Sequence, residues 1–200
     1  IPFPAESGDG IPDHRQLTQE FRLESQSDGP LDWQVGTLIY DEDLKIDNFS
    51  YDTLAGSRKN GYARQRQKNR AYALFGAAGY RIDDRWRVAG GLRYTDDSKD
   101  FYAERLVSPI GAGPLARIDV SPSDQNLSGD LSVSYAPSDD LQLYARYATG
   151  FRAPAIQGRL LFGDAVSVAE SETIESFELG LKADLWDRRA RVNFSVYDYR

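Results

Sequence analysis

The residues able to do chemistry are few. His14 is the only histidine, it stands beside Asp13, and the chain has no cysteine. Thiolate metal sites, thiol nucleophiles and disulfide frameworks are therefore excluded. One imidazole and one carboxylate in an apparently irregular N-terminal stretch fall short of a three- or four-ligand metal site. No serine stands in a nucleophile-elbow sequence, and no glycine-rich phosphate loop precedes a helix. The acidic pairs Asp83-Asp84 and Asp139-Asp140 lie in turn-like sequence, where their side chains serve the backbone locally. The expectation is a protein that is not an enzyme and carries no cofactor and no metal.

Recognition chemistry is better supplied. Phe49, Tyr51, Tyr62, Arg64 and Arg66 occupy one polar stretch, and Phe101, Tyr102 and Arg105 another. Aromatic rings and cations together can receive an anionic, aromatic ligand through cation–π and charge-assisted contacts. Packing of interfacial and loop residues accounts for the same mixture. The formal charge of −7 and isoelectric point near 4.8 argue against a nucleic-acid partner, which calls for a basic stripe.

The elements that position these residues show a period of two, the mark of a strand with two unlike faces. Trp86, Val88, Gly90, Leu92 and Tyr94 alternate with Arg85, Arg87, Ala89, Gly91 and Arg93. Leu127, Leu131, Val133 and Tyr135 oppose Ser128, Asp130, Ser132 and Ser134. Phe177, Leu179, Leu181 and Ala183 oppose Glu178, Gly180, Lys182 and Asp184, and Val192, Phe194 and Val196 oppose Arg191, Asn193 and Ser195. Less regular runs at 16–26, 32–42, 69–82 and 141–149 bring the total to about eight long antiparallel strands, with the faces in 69–82 weakly marked.

The connections alternate in length. Tight polar turns are expected at Ser27-Asp28-Gly29-Pro30, Asp83-Asp84, Ser138-Asp139-Asp140 and Trp186-Asp187-Arg188, about fifty residues apart. Long loops are expected at 43–68, 96–125 and 150–173. Loops beyond about 12–15 residues are uncommon in compact soluble domains, whereas outer-membrane barrels pair short periplasmic turns with long extracellular loops. Mean hydropathy is only −0.56, which a barrel permits because only every second residue meets lipid. The pattern predicts an all-β, up-and-down meander in a membrane barrel wall. A small eight-stranded outer-membrane pore or enzyme and a soluble extracellular β-rich binding module remain the alternatives.

Four motifs then carry a family resemblance. Leu143-Tyr144-Ala145-Arg146-Tyr147-Ala148-Thr149-Gly150-Phe151-Arg152-Ala153-Pro154 resembles the Y-x-x-G-F-R-x-P strand end of TonB-dependent outer-membrane receptors. Glu175-Ser176-Phe177-Glu178-Leu179-Gly180-Leu181-Lys182 is similar to their E-x-x-E-x-G-x-K strand. Gly90-Gly91-Leu92-Arg93-Tyr94-Thr95 and Thr18-Gln19-Glu20-Phe21-Arg22-Leu23 resemble two further strands, in the family's order. The resemblance implies part of a barrel of about 22 strands, without the N-terminal plug, the TonB-pairing box or the aromatic closing strand. Ile1 and Arg200 accordingly read as cut ends, and the chain as roughly a third of a receptor.

What the resemblance implies is energised uptake across the outer membrane of a Gram-negative bacterium. Ferric siderophores are the expected substrates; cobalamin, haem and oligosaccharides are other possible cargoes. Partners would be outer-membrane lipid and, through the plug, the TonB complex. Ligand contact is expected from Arg152, Tyr51, Tyr62, Arg64, Arg66, Tyr102 and Arg105, a catecholate chelate fitting the mixture best. Arg152 alternatively braces a lumenal carboxylate. Arg85, Arg87, Arg93, Glu178, Lys182 and Arg191 should point inward and pair with one another or with a plug. Trp86, Tyr94, Tyr135, Tyr147 and Trp186 are expected in the membrane girdle.

Overall fold

The computed structural model describes residues 5–26, 28–54 and 56–200. These form eleven strands and no helix: β1 (Ala5–Glu24), β2 (Leu31–Asp52), β3 (Arg58–Arg81), β4 (Trp86–Val107), β5 (Leu115–Val120), β6 (Ser123–Ser138), β7 (Leu141–Arg152), β8 (Ala155–Gln157), β9 (Ser167–Ala169), β10 (Glu172–Leu185) and β11 (Ala190–Tyr199). The main sheet runs β1-β2-β3-β4-β6-β7-β10-β11, with β5 beside β4 and a separate β8–β9 ribbon. Every pairing is antiparallel. The expected eight-strand meander is thus the main path, and three short strands are added to it.

Register is what makes the two faces. One row of partners crosses six strands as Tyr80, Val88, Val133, Ala145, Leu179 and Val196. A second joins Leu74, Tyr94 and Leu127. Side chains opposite one another in an antiparallel pair share a face, so the apolar residues of successive strands merge into one continuous surface. A slip of one residue would turn a strand's apolar set to the wrong side.

The strands meet at one end in short connections: the one between β1 and β2, where Ser27 of the expected turn lies outside the described residues, and those at 82–85, 139–140 and 186–189. At 82–85, Asp83 Oδ1 accepts from the backbone N–H of Arg85 at 2.8 Å and of Trp86 at 2.7 Å, closing the turn. At the last, Trp186, Asp187 and Arg188 all have positive φ (54°, 55° and 65°).

The opposite end departs from expectation. Most of 43–68 is strand: β2 and β3 continue as one tall hairpin of 22 and 24 residues, and only 53–57 connects them. Likewise β4 runs on to Val107, and β5 and the start of β6 take up much of the remainder of 96–125, leaving 108–114 and 121–122 as connections. His14, expected in irregular chain, lies within the 20-residue β1 opposite Leu44. These extensions carry only short apolar alternations, such as Leu44 and Ile46, and are otherwise mostly polar on both faces. The third segment, 150–173, is irregular apart from the ends of β7 and β10 and the β8–β9 ribbon.

Tyr144 shows how long inward side chains are accommodated. Its ring lies flat across Gly180, the residue paired with it on β10, where an added Cβ would stand 2.4 Å from Cζ. Its hydroxyl donates to Glu178 Oε1 at 2.5 Å. Gly180→Val should therefore lower the urea midpoint of the folded protein by the equivalent of about 1–3 kcal/mol, read by the heat-modifiable gel shift of folded barrel protein. In a Tyr144→Ala background the same valine should cost much less, because the two side chains compete for one space. Equal costs in both backgrounds would rule the packing explanation out.

Candidate functional site

The apolar face is exposed over its whole breadth: Phe21, Leu74, Leu92, Leu131, Phe177 and Phe194 all stand free of cover. On β3 it extends from Tyr72 to Tyr80, roughly 26 Å along the strand at about 3.3 Å per residue, or about 20 Å along the membrane normal at a tilt of about 40°, somewhat short of the apolar band of about 25 Å in outer-membrane barrels. Trp86 and Tyr135 stack at 4.4 Å on the short-turn border of this face. Tyr94 lies on the same face toward its other border, Tyr147 lies opposite Leu131 within the band, and Trp186 is exposed in the last turn.

The other face is polar and internally paired. Arg87 reaches across Gly79 of β3 to Asp32, 2.8 Å away. Arg22 and Arg93 both approach the Phe75 ring, at 5.9 and 5.7 Å. Arg191 Nε donates to Asp184 at 2.5 Å, Arg146 lies 3.6 Å from Asp130, and Lys182 stands 5.7 Å from the Tyr144 ring. Arg85 lies in a turn and lines a cavity of about 960 Å³ at the short-turn end. His14 Nε2 lies 3.0 Å from Glu42 Oε1, and Asn69 donates to the other Glu42 oxygen at 2.5 Å. Burial pushes the Glu42 carboxyl up, but hydrogen bonds from His14, Asn69 and Tyr40 outweigh it and hold the group below its ordinary value.

At the far end, the β7–β10 connection folds back onto this polar face. Leu160 and Leu161, wholly buried, pack with Ala63, Phe101 and Ala103, the one buried apolar cluster among the described residues. Ile156, Leu115, Ile118 and Val120 pack around them. A cavity of about 280 Å³ remains beside it, lined by Leu44, Ile46, Gln65, Gln67, Phe101 and residues 156–159.

The residues expected to contact ligand separate into three groups. Tyr62, Arg64, Arg66 and Tyr102 belong to strands rather than loops and share the outward face with the apolar band, beyond its border, and alternation puts Tyr51 there too. They are engaged with neighbours. Arg66 Nε donates to Asp43 at 2.6 Å, Arg64 Nε to Glu104 at 2.5 Å, and the Tyr62 hydroxyl to Asp47 at 3.1 Å. Lys59 sits 4.0 and 4.2 Å from the stacked Phe49 and Tyr62 rings, and Arg117 lies 3.9 Å from the Tyr102 ring. Arg105 is buried. Arg152 alone of the seven is exposed on the polar face, 3.3 Å from Glu172, the brace that its alternative reading expects. Gln65, Gln67 and Arg159 were missed, because nothing in the sequence shows that the connection folds inward.

A sheet with an exposed apolar band, a paired polar face and aromatic borders is the wall of an outer-membrane β-barrel. Residues 2–200 match the family model for the TonB-dependent receptor-like β-barrel, and the chain belongs to that family. Its members are outer-membrane transporters rather than enzymes. The fold is similar to the ferric yersiniabactin uptake receptor FyuA from Yersinia pestis, with a TM-score of 0.80 and 17% identity over 98% of this chain and 29% of that one. The ferric-catecholate import receptor Fiu from E. coli gives 0.66 and 15% over 92% and 31%. The siderophore receptor PiuA from Acinetobacter baumannii gives 0.60 and 14% over 96% and 32%. The chain therefore spans a little under a third of the length of each of these receptors.

The band makes a directional prediction. Leu131→Arg, near the middle of the lipid face, should destabilise the folded barrel by about 2–4 kcal/mol, whereas Ser132→Arg, one residue along and facing inward, should cost clearly less. Unfolding midpoints in lipid vesicles decide it, and equal losses would remove the face assignment.

The outward extension makes another. Hydrogen bonds from Arg66 to Asp43, Lys45 to Asp13 and Arg117 to Asp119 hold these three carboxyls below their usual range. Groups depressed in the folded state stabilise it fully above the unfolded pKa, about 3.9 for Asp, and lose that contribution as pH falls through their folded values. Hydrogen-exchange protection in 43–47 and 62–68, corrected for intrinsic rates, should stay level from neutral pH to about 4 and decline only below. A decline already under way well above about pH 5 would remove these three pairs as its cause.

Proposed function

We propose that the chain forms part of the barrel of an outer-membrane active transporter that takes up ferric siderophores and is energised through TonB. One observation carries the reading: at the end opposite the short turns, the connection between β7 and β10 folds onto the polar face of a lipid-bounded wall. A solute arriving from outside would meet Arg152, Arg159, Gln65 and Gln67 there. The paired charges farther along the polar face suit contact with a plug inside the lumen. The names of the similar solved receptors, for ferric yersiniabactin, ferric catecholates and another siderophore, support the substrate class.

In this reading Trp86, Tyr94, Tyr135 and Trp186 form the girdle against lipid headgroups, and Tyr147 lies within the band. The outward Arg64, Arg66 and Tyr102 belong to an aqueous collar above it rather than to the ligand site. Arg152 is the cation that an anionic chelate would engage, its exchange with Glu172 being cheap because exposed ion pairs contribute little.

Uptake of radioiron presented on catecholate, hydroxamate and mixed chelates tests the proposal in iron-starved cells carrying the encoded protein. Transport of at least one chelate should vanish when TonB is deleted. Arg152→Ala should weaken its binding about tenfold, the order of one charge-assisted contact, without changing the folded yield. Uptake of haem, cobalamin or an oligosaccharide alone would keep the transporter and remove the siderophore.

A further inference from the structure

Arg105 is a buried cation, 2% exposed, on a strand of the wall. Its partners lie off the wall. Nη1 donates to the carbonyls of Leu160 at 3.1 Å and Gly163 at 2.9 Å, and Nε to the carbonyl of Gly113 at 3.0 Å. Nη1 also lies 2.6 Å from Asp164, whose carboxylate is largely exposed. One side chain thus gathers acceptors from the β4–β5 turn and the β7–β10 connection, neither of which has ladder partners for them.

The seat is close-fitting on one side. Gly158 lies against the Phe101 ring, where an added Cβ would stand 2.2 Å from Cζ, and Leu160 and Leu161 are fully buried. At the same seam the fit is poor in another respect. Asn48 Oδ1, Ser50 Oγ and Asn60 Oδ1 are buried with no hydrogen-bond partner, and Gly61 leaves room for both Ser50 and Leu161 to approach it, an added Cβ meeting each at 3.0 Å. Of these, Ser50 Oγ lies beside the strap, near Leu161, and would recover water on its opening. Apolar contact, the Arg105 bonds and the ion pair of Arg159 Nη2 with Asp9 Oδ1 at 3.1 Å favour the docked position, and the stranded Ser50 hydroxyl opposes it.

We propose that residues 153–171 form a strap with a docked and a lifted position, and that Arg105 is the latch that holds it docked. Lifted, the strap uncovers Phe101, Gln65 and Gln67 and turns the small cavity beneath it into an open inward surface. Only the use of that surface, admission of the cargo, rests on the proposed uptake function. The movement belongs to the strap and needs no ligand to be seen.

Trypsin reads it directly, because hydrolysis after Arg159 requires Leu160 to leave its buried site. In the encoded protein folded in outer-membrane vesicles, cleavage between Arg159 and Leu160 should be slow compared with cleavage after Arg58 at the β2–β3 tip. Arg105→Met and Gly158→Val, one removing the donors and the other the space, should each raise the rate at Arg159 about tenfold or more, the signature of an opening made easier. Arg105→Lys should fall between, since an ammonium lacks the planar fork that spans separate carbonyls. Asp164→Asn, which alters an exposed partner only, should give a smaller rise and serves as the variant least able to harm folding. Rates at Arg58 should not change in any variant, and loss of the heat-modifiable gel shift would mark one that had unfolded. Cleavage at Arg159 as fast as at Arg58 in the parent, or no change in the folded Gly158→Val and Asp164→Asn variants, would overturn the latch. Failure of siderophore uptake with these rates as expected would overturn the transport reading alone.

Discussion

Lipid offers the backbone no hydrogen-bond partner, and the rest of this structure depends on that. Each N–H and C=O inside the bilayer must be met by the neighbouring strand, so the chain returns on itself in antiparallel pairs whose register is continuous across the sheet. Register in turn divides the residues into two faces. The row from Tyr80 through Val88, Val133, Ala145 and Leu179 to Val196 is lipid-facing because the ladder places it so. The inward rows are then free to hold arginines, carboxylates and tyrosines, which pair with one another across the strands, as Asp32 and Arg87 do across Gly79.

Beyond the apolar band the same ladder continues in a different solvent. Lipid no longer requires an apolar face there, and the outward residues of β1 to β5 become a lattice of alternating charge: Asp13 with Lys45, Asp43 with Arg66 and Arg15, Glu104 with Arg64. Each exposed pair is worth little by itself. Their arrangement between neighbouring strands nevertheless favours the native register over a shifted one, a task performed within the band by hydrophobic burial. The tall β2–β3 hairpin and the extended β4 are the result, and they bring Gln65, Gln67, Phe101 and Arg105 beside the strap.

This change of solvent explains what was legible in the sequence. Inside the band, alternation contrasts apolar with polar residues, and Leu127 to Tyr135 or Phe177 to Ala183 reads plainly as strand. In Arg64-Gln65-Arg66-Gln67-Lys68-Asn69-Arg70 the alternation is equally strict, but it sets cations against amides, which a search for apolar contrast passes over. Leu44 and Ile46 against Asp43, Lys45 and Asp47 gave a second available sign. The family motifs identified the wall because they lie within the band. The strap was not legible, since its docking rests on Arg105 meeting carbonyls some 55 residues away, a pairing that no local pattern encodes.

Two kinds of backbone therefore have to be satisfied in two ways. A strand in the wall satisfies its carbonyls with its neighbours and gains rigidity by doing so. An irregular connection folded onto that wall has no neighbour in register, and its inward carbonyls would be stranded by an aliphatic seat. An arginine answers this case: its fork supplies several donors from one side chain, and it is fixed on a strand that does not move. The bonds it makes are few and lie at one point, whereas the bonds of the ladder are many and cooperative. A part that is to move in such a protein must lie off the ladder and be held by separable contacts, and the β7–β10 connection meets both conditions.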